Sequence, residues 1–458
     1  MSGKLKRKYG DLRSREKERQ ASGESRYIAV TLFLAFFIFT FIGAGNFIIV
    51  SLVGLFLCAI GLVQSSVRVD LWILVPLILY NGISLLSGYR TYGNTLDGYA
   101  STQSVFPVIY LLMSYLGSQE RRLLKSLCAV WVGVMATIGI GQFVMAAFSG
   151  SATRLSGLMG NPNAMGAMLA LGWFALQSCL REENGPALER FLRGLEFITL
   201  TALALTLSLG AFGALGIGVL VMHFYGKECF SSLLCRLAEM IFAGGCGILL
   251  YIAGNATNWP WLCLILCGYI LIGAWYRGQF ERELSDGKWA KLLICLTGAL
   301  GAGVVAFLNA AATFAERLAM IRNGLGYLGV DPLLGVGPYQ WRRLNLQDAD
   351  TYFNTWHIHN VFVHVGVELG LIAMAMLAIA VVRHFRKRED PAQRGAFSAA
   401  LVHNLMDTSF FYMATVPFLI MTAGDDEGKK RRLSGAAVKC MFSVFAVLFA
   451  WNMVQIFW

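Results

Sequence analysis

The chain has 458 residues, of which 57% are apolar and 14% are charged, and it carries a net charge of +11. Soluble domains have roughly 25% charged residues, so this composition excludes an ordinary soluble protein. The apolar residues come in runs of about 17 to 25, the length that crosses a ~30 Å hydrocarbon layer. A transmembrane β-barrel would show short alternating segments instead, so the sequence predicts an all-α polytopic membrane protein.

The basic residues lie mainly beside the apolar runs, where they set the orientation of membrane helices. The positive charge therefore does not indicate nucleic-acid binding. Residues 1–26 are polar and basic, and we predict a cytoplasmic tail followed by one transmembrane domain over 27–458. The ten cysteines fall mostly within apolar runs and include no C-x-x-C pair, which favours buried thiols over a metal site.

The apolar runs predict about 12–14 transmembrane helices. The runs that precede residue 390 lie at 27–43, 46–64, 71–88, 104–117, 123–148, 163–180, 195–209, 211–225, 232–253, 258–276, 290–311 and 361–382. A last span is predicted at 437–457.

Alternation from a cytoplasmic N-terminus places five groups of basic residues in the cytoplasm, as the positive-inside rule requires. These groups are Arg121, Arg122 and Lys125; Arg181, Arg190 and Arg193; Lys227 and Arg236; Arg277, Arg282, Lys288 and Lys291; and Arg383, Arg386, Lys387 and Arg388. The same alternation predicts external loops at 149–162 and at about 312–360.

Residues 396–422 are harder to place, because they are too few for two full membrane helices between two basic segments. One interpretation is a broken or re-entrant pair with His403, Asn404 and Asp407 at its tip, which must then be buried in protein. The other is a single crossing that violates the charge rule. We favour the broken pair.

Glu196, His223 and Glu239 are the main ionisable residues within the predicted spans. Ion-coupled transporters need such groups at mid-depth, so their scarcity argues against a pump or antiporter. The large external loop instead holds four arginines and two histidines: Arg317, Arg322, Arg342, Arg343, His357 and His359. Guanidinium groups beside an apolar layer suit a lipid with a phosphate or diphosphate head.

Three segments share a pattern with a known family. Residues 154–166 read R-L-S-G-L-M-G-N-P-N-A-M-G, Arg317 is followed about fifteen residues later by P-L-L-G-V-G, and His359-Asn360 precedes E-L-G at 368–370. In order and spacing they resemble the O-antigen ligase/polymerase family of bacterial membrane glycosyltransferases. His403 with Asp407 resembles a late H-x-x-x-D of that family. Turn residues make each piece weak alone, but together they are fairly specific.

The resemblance implies a GT-C-like helical fold that needs no metal or other cofactor. It implies transfer of a glycan from undecaprenyl diphosphate to an acceptor hydroxyl at the outer face of the bacterial inner membrane. The acceptor is a lipid-linked core sugar in the ligases, a lipid-linked repeat unit in the polymerases, and a protein serine or threonine in a third branch. We favour a polysaccharide polymerase over a ligase.

One departure from the family concerns its T-x-S-R-G turn. The matching residues 206–210 read T-L-S-L-G, so Leu209 replaces an arginine that the family uses to hold the diphosphate. Diphosphate binding must then depend on other residues, or the donor is held differently, or activity is impaired.

The site hypothesis gives the chemistry to residues of the two external loops and to Glu368 in the span that follows the second loop. The residues are His359 as the base, with Arg154, Arg317, Arg322, Asn161 and Glu368 binding substrate. A neutral histidine can take the proton of the acceptor hydroxyl, and fixed guanidinium groups can stabilise charge that grows on the departing diphosphate.

Several of these residues also have structural interpretations. His359 can cap the helix that starts near Val361, and His357 can be the base instead. Arg317 and Arg322 can mark a surface helix, and Asn161 is a suitable helix cap before proline. Glu368 can pair with an arginine, orient His359 or lie buried within the bundle.

Two other functions stay open at this point. A lipid-linked oligosaccharide flippase or exporter would line a central cavity with basic residues along several spans, whereas these gather at one outer surface. The substitution at Leu209 also keeps open an inactive relative that scaffolds an assembly complex.

Overall fold

The computed structural model describes residues 26–256, 259–287, 313–347, 355–386, 390–422 and 430–456, together with residues 291, 298 and 353. Of the residues that the structure describes, 78% are helical and very few lie in a sheet, which confirms the all-α class. The predicted basic tail before Arg26 lies outside the described residues. So does the predicted span 290–311, except for residues 291 and 298.

The helices and strands are introduced here in chain order. They are α1 (Arg26–Phe39), α2 (Phe47–Leu62), β1 (Val67–Val69), α3 (Leu71–Tyr92), α4 (Ala100–Gln103), α5 (Val105–Met113), α6 (Ser118–Phe148), α7 (Pro162–Leu180), α8 (Pro186–Leu205), α9 (Leu209–Gly226), α10 (Phe230–Ala256), α11 (Trp261–Asp286), α12 (313–327), α13 (Gln340–Gln347), α14 (Val361–Arg386), α15 (Pro391–Met406), α16 (Thr415–Met421), β2 (Arg431–Leu433) and α17 (Gly435–Val454).

Seven helices of the described residues are long and apolar enough to cross a membrane: α3, α6, α7, α9, α10, α14 and α17. Four further apolar helices are shorter, namely Arg26–Phe39, Phe47–Leu62, Ala100–Met113 and Trp261–Arg277. This supports a polytopic membrane protein. Fewer full-length spans are found among the described residues than the sequence predicts. Several of the predicted spans are helices shorter than 18 residues, and α8 has charged residues in its first half.

The predicted span at 104–117 overlaps the short helices α4 and α5, which together cover Ala100–Met113. The segment leads from Tyr99, which contacts Glu368, to Tyr115, which donates to the Ser65 carbonyl before β1, so it runs between the two ends of the bundle. Every residue of α5 is buried. A helix buried on all sides needs no polar face, so its sequence looks like that of a membrane span.

Residues 396–422 form an interrupted pair of helices. Helix α15 ends at Met406, Asp407 is extended, and the shorter α16 follows a single turn of 3-10 helix at Ser409–Phe411. The residues at the interruption are buried, including Asp407 and Ser409. The break therefore lies where the sequence placed it, and its backbone is enclosed by protein, as an interruption within a membrane requires.

The predicted cytoplasmic segments meet at one end of the bundle, which we call the basic end. Strands β1 and β2 pair antiparallel, with Val67 opposite Leu433. Arg383 Nε donates to Asp70 Oδ2 at 2.9 Å, so the end of α14 lies beside the start of α3.

The loops after α7 and α9 lie at the same end. Lys125 Nζ is 2.6 Å from Glu182 Oε1, which joins the start of α6 to the end of α7. Arg181 and Arg236 both pair with Glu228, which follows α9. The opposite end, where α7, α9 and α14 begin, is called the site end below.

Arg277 is not the loop residue that the sequence predicts. Helix α11 continues to Asp286, so Arg277 lies within the helix, where it is 4% exposed. Its guanidinium pairs with Glu239 of α10 and lies 3.4 Å from Glu196 of α8. Gln177 Nε2 also donates to Glu196, at 2.5 Å. The carboxylates on neighbouring helices are what make burial of this arginine possible, since a buried charge needs a partner.

Replacing Arg277 by methionine should lower the free energy of unfolding by about 3–5 kcal/mol, because it leaves buried carboxylates without this cation. Thermal unfolding of the purified protein in detergent measures the loss. Arg190→Met, at an exposed position on α8, is the matched control and should change the midpoint little. Equal midpoints for the two variants would contradict the structural role of Arg277.

Candidate functional site

His359 lies where the start of α14 meets the end of α15. Asn360 fixes this junction, because its Oδ1 accepts from the Val363 N–H at 3.0 Å and its Nδ2 donates to the Leu405 carbonyl at 3.3 Å. Asn360 therefore caps α14. The capping role that His359 could have had is already taken, and its imidazole is left to contact Asp407.

Asp407 is the centre of the polar cluster at the site end. Its Oδ1 lies 3.5 Å from His359 Nδ1, and its Oδ2 accepts from Arg317 Nη2 at 3.1 Å. The histidine and the arginine come from different parts of the large loop. The structure thus brings together two residues that the sequence analysis proposed, on a carboxylate from the interruption after α15.

The charge of Asp407 is maintained by its neighbours. Burial alone would raise the pKa of Asp407, but its contacts with His359, His403 and Arg317 hold that pKa below its ordinary value. The nearest acceptor to His359 Nδ1 is this carboxylate, 3.5 Å away, which favours the tautomer with its proton on Nδ1. The lone pair of His359 is then on Nε2, and the side chain is 21% exposed.

Arg154 lies near this cluster and joins the start of α7 to the turn between α8 and α9. Its Nε donates to the Thr206 carbonyl at 2.9 Å, and its Nη2 donates to Asn163 Oδ1 at 2.7 Å. Burial lowers the pKa of Arg154, and the charges of Asp407 and Arg317 also act on it, in opposite directions. Arg154 therefore shares an electrostatic environment with the Asp407 cluster while it fixes the turn before α9.

The N-terminus of α9 faces the same cluster. Ser208 caps the helix by accepting from the Ala211 N–H. A Cβ on Gly210 would lie 3.7 Å from Arg317 Nη1 and 3.9 Å from His403 Nε2. Leu209 is the first residue of α9 and is 38% exposed. Leu209 therefore lies next in sequence to the residue that faces Arg317.

Asn161 and Arg322 have other positions. Asn161 caps α7, and its Oδ1 accepts from the N–H groups of Asn163 and Ala164 at 2.9 and 3.1 Å. Arg322 is exposed on α12. It follows Arg317 by five residues, which places it about 140° around the helix from that residue. The structure therefore does not bring Arg322 to the Asp407 cluster through the face that carries Arg317.

Glu368 is fully buried, with 0% exposure. Its carboxylate accepts from the Tyr99 hydroxyl, from the Tyr339 N–H at 2.8 Å and from the Trp341 N–H at 3.2 Å. The described residues show no arginine paired with it. Of the three interpretations from sequence, the buried partner is the one that this geometry favours.

The P-L-L-G-V-G segment packs directly on the backbone of α14. The Val336 N–H donates to the Val367 carbonyl and the Gly337 N–H donates to the Glu368 carbonyl, both at 2.9 Å. A Cβ on Gly335 would lie 2.3 Å from the Glu368 carbonyl, and one on Gly370 would lie 2.0 Å from the Leu333 oxygen. Two of the motifs recognised in the sequence are therefore the two sides of one backbone contact.

His364 and Tyr99 are the residues that sequence reasoning missed. The Nε2 atom of His364 lies 2.8 Å from Tyr99 Oη and 3.1 Å from His357 Nδ1. Tyr99 precedes α4 and gave no signal, because its partners are more than 250 residues away in sequence. The i, i+4 spacing of His364 and Glu368 was the available clue.

The described residues contain no group of three or more histidine, cysteine, aspartate or glutamate side chains arranged to hold a metal ion. Metal-independent chemistry stays a prediction. Neither a protein-family model nor a curated protein matches this chain.

Replacing Gly335 by alanine should destabilise the protein by at least about 1–3 kcal/mol, because this position has a positive φ and no room for a Cβ. Its φ is +74°. Gly329→Ala is the matched control, since nothing lies within 4 Å of a Cβ there. Thermal unfolding in detergent should separate the two variants. A Gly335→Ala protein as stable as the control would show that the contact with α14 is not tight.

Proposed function

We propose that the protein is a membrane glycosyltransferase of surface polysaccharide assembly. It moves a glycan from undecaprenyl diphosphate to an acceptor hydroxyl at the outer face of the bacterial inner membrane. The observation that carries this proposal is the contact of His359 and Arg317 with Asp407, at the end of the bundle opposite the basic loops. The positive-inside rule supports an external position for that end.

The histidine serves as the base in this proposal. Asp407 holds the Nδ1–H of His359, so Nε2 presents its lone pair to the acceptor hydroxyl. As the acceptor oxygen bonds to the anomeric carbon, its proton moves to His359 Nε2. The bond from that carbon to the diphosphate oxygen breaks, and the carrier leaves as undecaprenyl diphosphate.

The arginines stabilise the charge that grows on the leaving diphosphate. Arg317 is held by only one of its two terminal nitrogens in the contact with Asp407, and Arg154 and the N-terminus of α9 lie nearby. Preorganised donors and helix N-termini stabilise developing negative charge. Arg322 can take part only from another face of α12, and Asn161 contributes by fixing the start of α7 next to Arg154.

An apolar groove beside the cluster suits the prenyl chain of the donor. It runs between α3, α5, α14, α15 and α16, from Val361 and Phe410 near the site end to Ala380 and His384 near the basic end. Its lining is largely apolar, whereas a flippase for a charged head would need polar or basic residues along such a path. This favours a site that receives lipid from the side over an exporter. The acceptor, which we take to be another lipid-linked repeat unit, enters from outside.

Replacing His359 by glutamine should reduce transfer about 10²- to 10⁴-fold, the usual contribution of a general base. Purified protein in liposomes, given undecaprenyl-diphosphate-linked glycan, provides the assay, with chromatography of the lengthened product as the readout. Asp407→Asn should also reduce the rate, because the amide no longer fixes the His359 tautomer. His223→Gln, at the basic end of α9, controls for loss of a histidine.

Full transfer by the His359→Gln protein would contradict the proposed base. Movement of the lipid-linked glycan across the liposome membrane without any transfer would indicate the exporter instead.

Replacing Leu209 by arginine should tighten donor binding, since it adds a guanidinium at the start of α9 beside Arg317. The expected change is about tenfold in KM for the lipid-linked donor, or 1.4 kcal/mol. Leu209→Lys, which adds charge without the planar fork of donors, should help less. A protein that is inactive as wild type but active as Leu209→Arg would support the inactive-scaffold interpretation of the natural chain.

A further inference from the structure

A chain of hydrogen bonds leads from Glu368 to His357. Tyr99 donates its hydroxyl proton to Glu368, and Tyr99 Oη lies 2.8 Å from His364 Nε2. The same nitrogen of His364 is 3.1 Å from His357 Nδ1. The Ile358 N–H donates to the other ring nitrogen, His364 Nδ1, at 3.3 Å.

The donors and acceptors around His364 indicate where its proton lies. Glu368 accepts from the Tyr99 hydroxyl and from the N–H groups of Tyr339 and Trp341. His364 Nδ1 accepts from the Ile358 N–H, so the proton of a neutral His364 ring is on Nε2. Three acceptors surround that Nε2–H, namely Tyr99 Oη at 2.8 Å, His357 Nδ1 at 3.1 Å and Glu368 Oε2 at 3.3 Å. Because Nε2 then has no lone pair to accept with, His357 Nδ1 faces it as an acceptor.

We propose that Glu368, acting through Tyr99 and His364, fixes His357 as the Nε2–H tautomer and makes it a hydrogen-bond donor to substrate oxygen. The inference deepens the proposed function and rests on it for the identity of the substrate. Glu368, Tyr99 and His364 are positioning residues. His357 is excluded as the base, because its only lone pair is turned toward His364, and the base remains His359.

The surroundings of His357 suit a neutral donor. Its ring stacks on Phe411 with centroids 4.4 Å apart and an angle of 6° between the planes. Burial and, to a smaller extent, His359 lower the pKa of His357 to about 3, while Asp407 opposes the shift. A neutral N–H there suits a phosphate oxygen of the leaving group or a sugar hydroxyl.

The direct test is the tautomer of His357 in the full-length protein reconstituted in lipid. Nitrogen-15 NMR of histidine-labelled protein at pH 7 distinguishes Nε2–H, Nδ1–H and imidazolium, and the signal that disappears in His357→Gln assigns the residue. We expect a neutral Nε2–H ring. An Nδ1–H ring or an imidazolium would overturn the proposal.

The role of Glu368 is tested by the same signal in two variants. Glu368→Gln places an amide N–H where one of three donors now points, and Tyr99→Phe removes the hydroxyl while keeping the ring. Either change should shift His357 toward a mixture of tautomers. An unchanged His357 signal in a folded variant would overturn the positioning role, and Tyr99→Phe supplies this answer even if Glu368→Gln does not fold.

Transfer assays separate a donor from a base. His357→Gln keeps an N–H near the position of Nε2–H, so its transfer rate should stay within about tenfold of the wild-type rate. His357→Phe keeps only the stacking on Phe411, so its transfer rate should be about tenfold or more below that of His357→Gln. Equal loss in both variants would overturn the donor role. A wild-type protein without transferase activity would instead contradict the proposed function and leave the tautomer measurement intact.

Discussion

The site end of the molecule depends on one close contact between backbones. Residues 332–337 lie against residues 367–371 of α14, and the N–H of Leu371 donates to the Pro332 carbonyl at 2.8 Å. The approach requires glycine on each side, since Gly335 and Gly370 have φ angles of +74° and +85° and no space for a Cβ. Arg90 of α3 reinforces the contact by donating to the Gly335 carbonyl at 2.9 Å. This contact positions the buried carboxylate of Glu368, which in turn contacts Tyr99 and His364.

Much of the fold could be predicted, because membrane insertion imposes a simple rule on sequence. Long apolar runs gave the helices, and basic residues gave the end at which loops such as those near Lys125 and Arg383 meet. The segment 104–117 was recognised by the same rule, although its helices are short and buried within the protein. The burial of Arg277 could not be predicted in this way, because hydropathy does not show that carboxylates on other helices neutralise its charge.

The site was predictable in its residue types but only in part in its geometry. Arg317 and His359 stand out as polar residues beside apolar runs, and both reach Asp407. Arg322 stands out equally in sequence, yet helical periodicity turns it to another face of α12. The motif glycines and Glu368 were recognisable as a pattern. Their role in a backbone contact requires the three-dimensional pairing of segments about 35 residues apart.

Two clusters of charge in the bundle show why burial matters for function. Arg277 and its carboxylates are nearly inaccessible, with 4% exposure for the arginine, so their interactions are satisfied internally and serve stability. His359 also has a carboxylate partner, but its side chain keeps 21% exposure. A charged group can act on a substrate only where some of its hydrogen-bonding capacity is directed outward. That difference, and not the number of charges, is why the proposed chemistry is assigned to the Asp407 cluster.

The substitution at Leu209 is compatible with this arrangement. The first turn of a helix presents N–H groups and partial positive charge whatever its side chains are. At the start of α9 these groups face the same space as Arg317, because a Cβ on Gly210 would lie only 3.7 Å from the guanidinium. Arg154 secures the preceding turn by its bond to the Thr206 carbonyl. Under the proposed function, an arginine at position 209 would add a guanidinium to the backbone N–H groups and to Arg317, which would already bind the donor diphosphate.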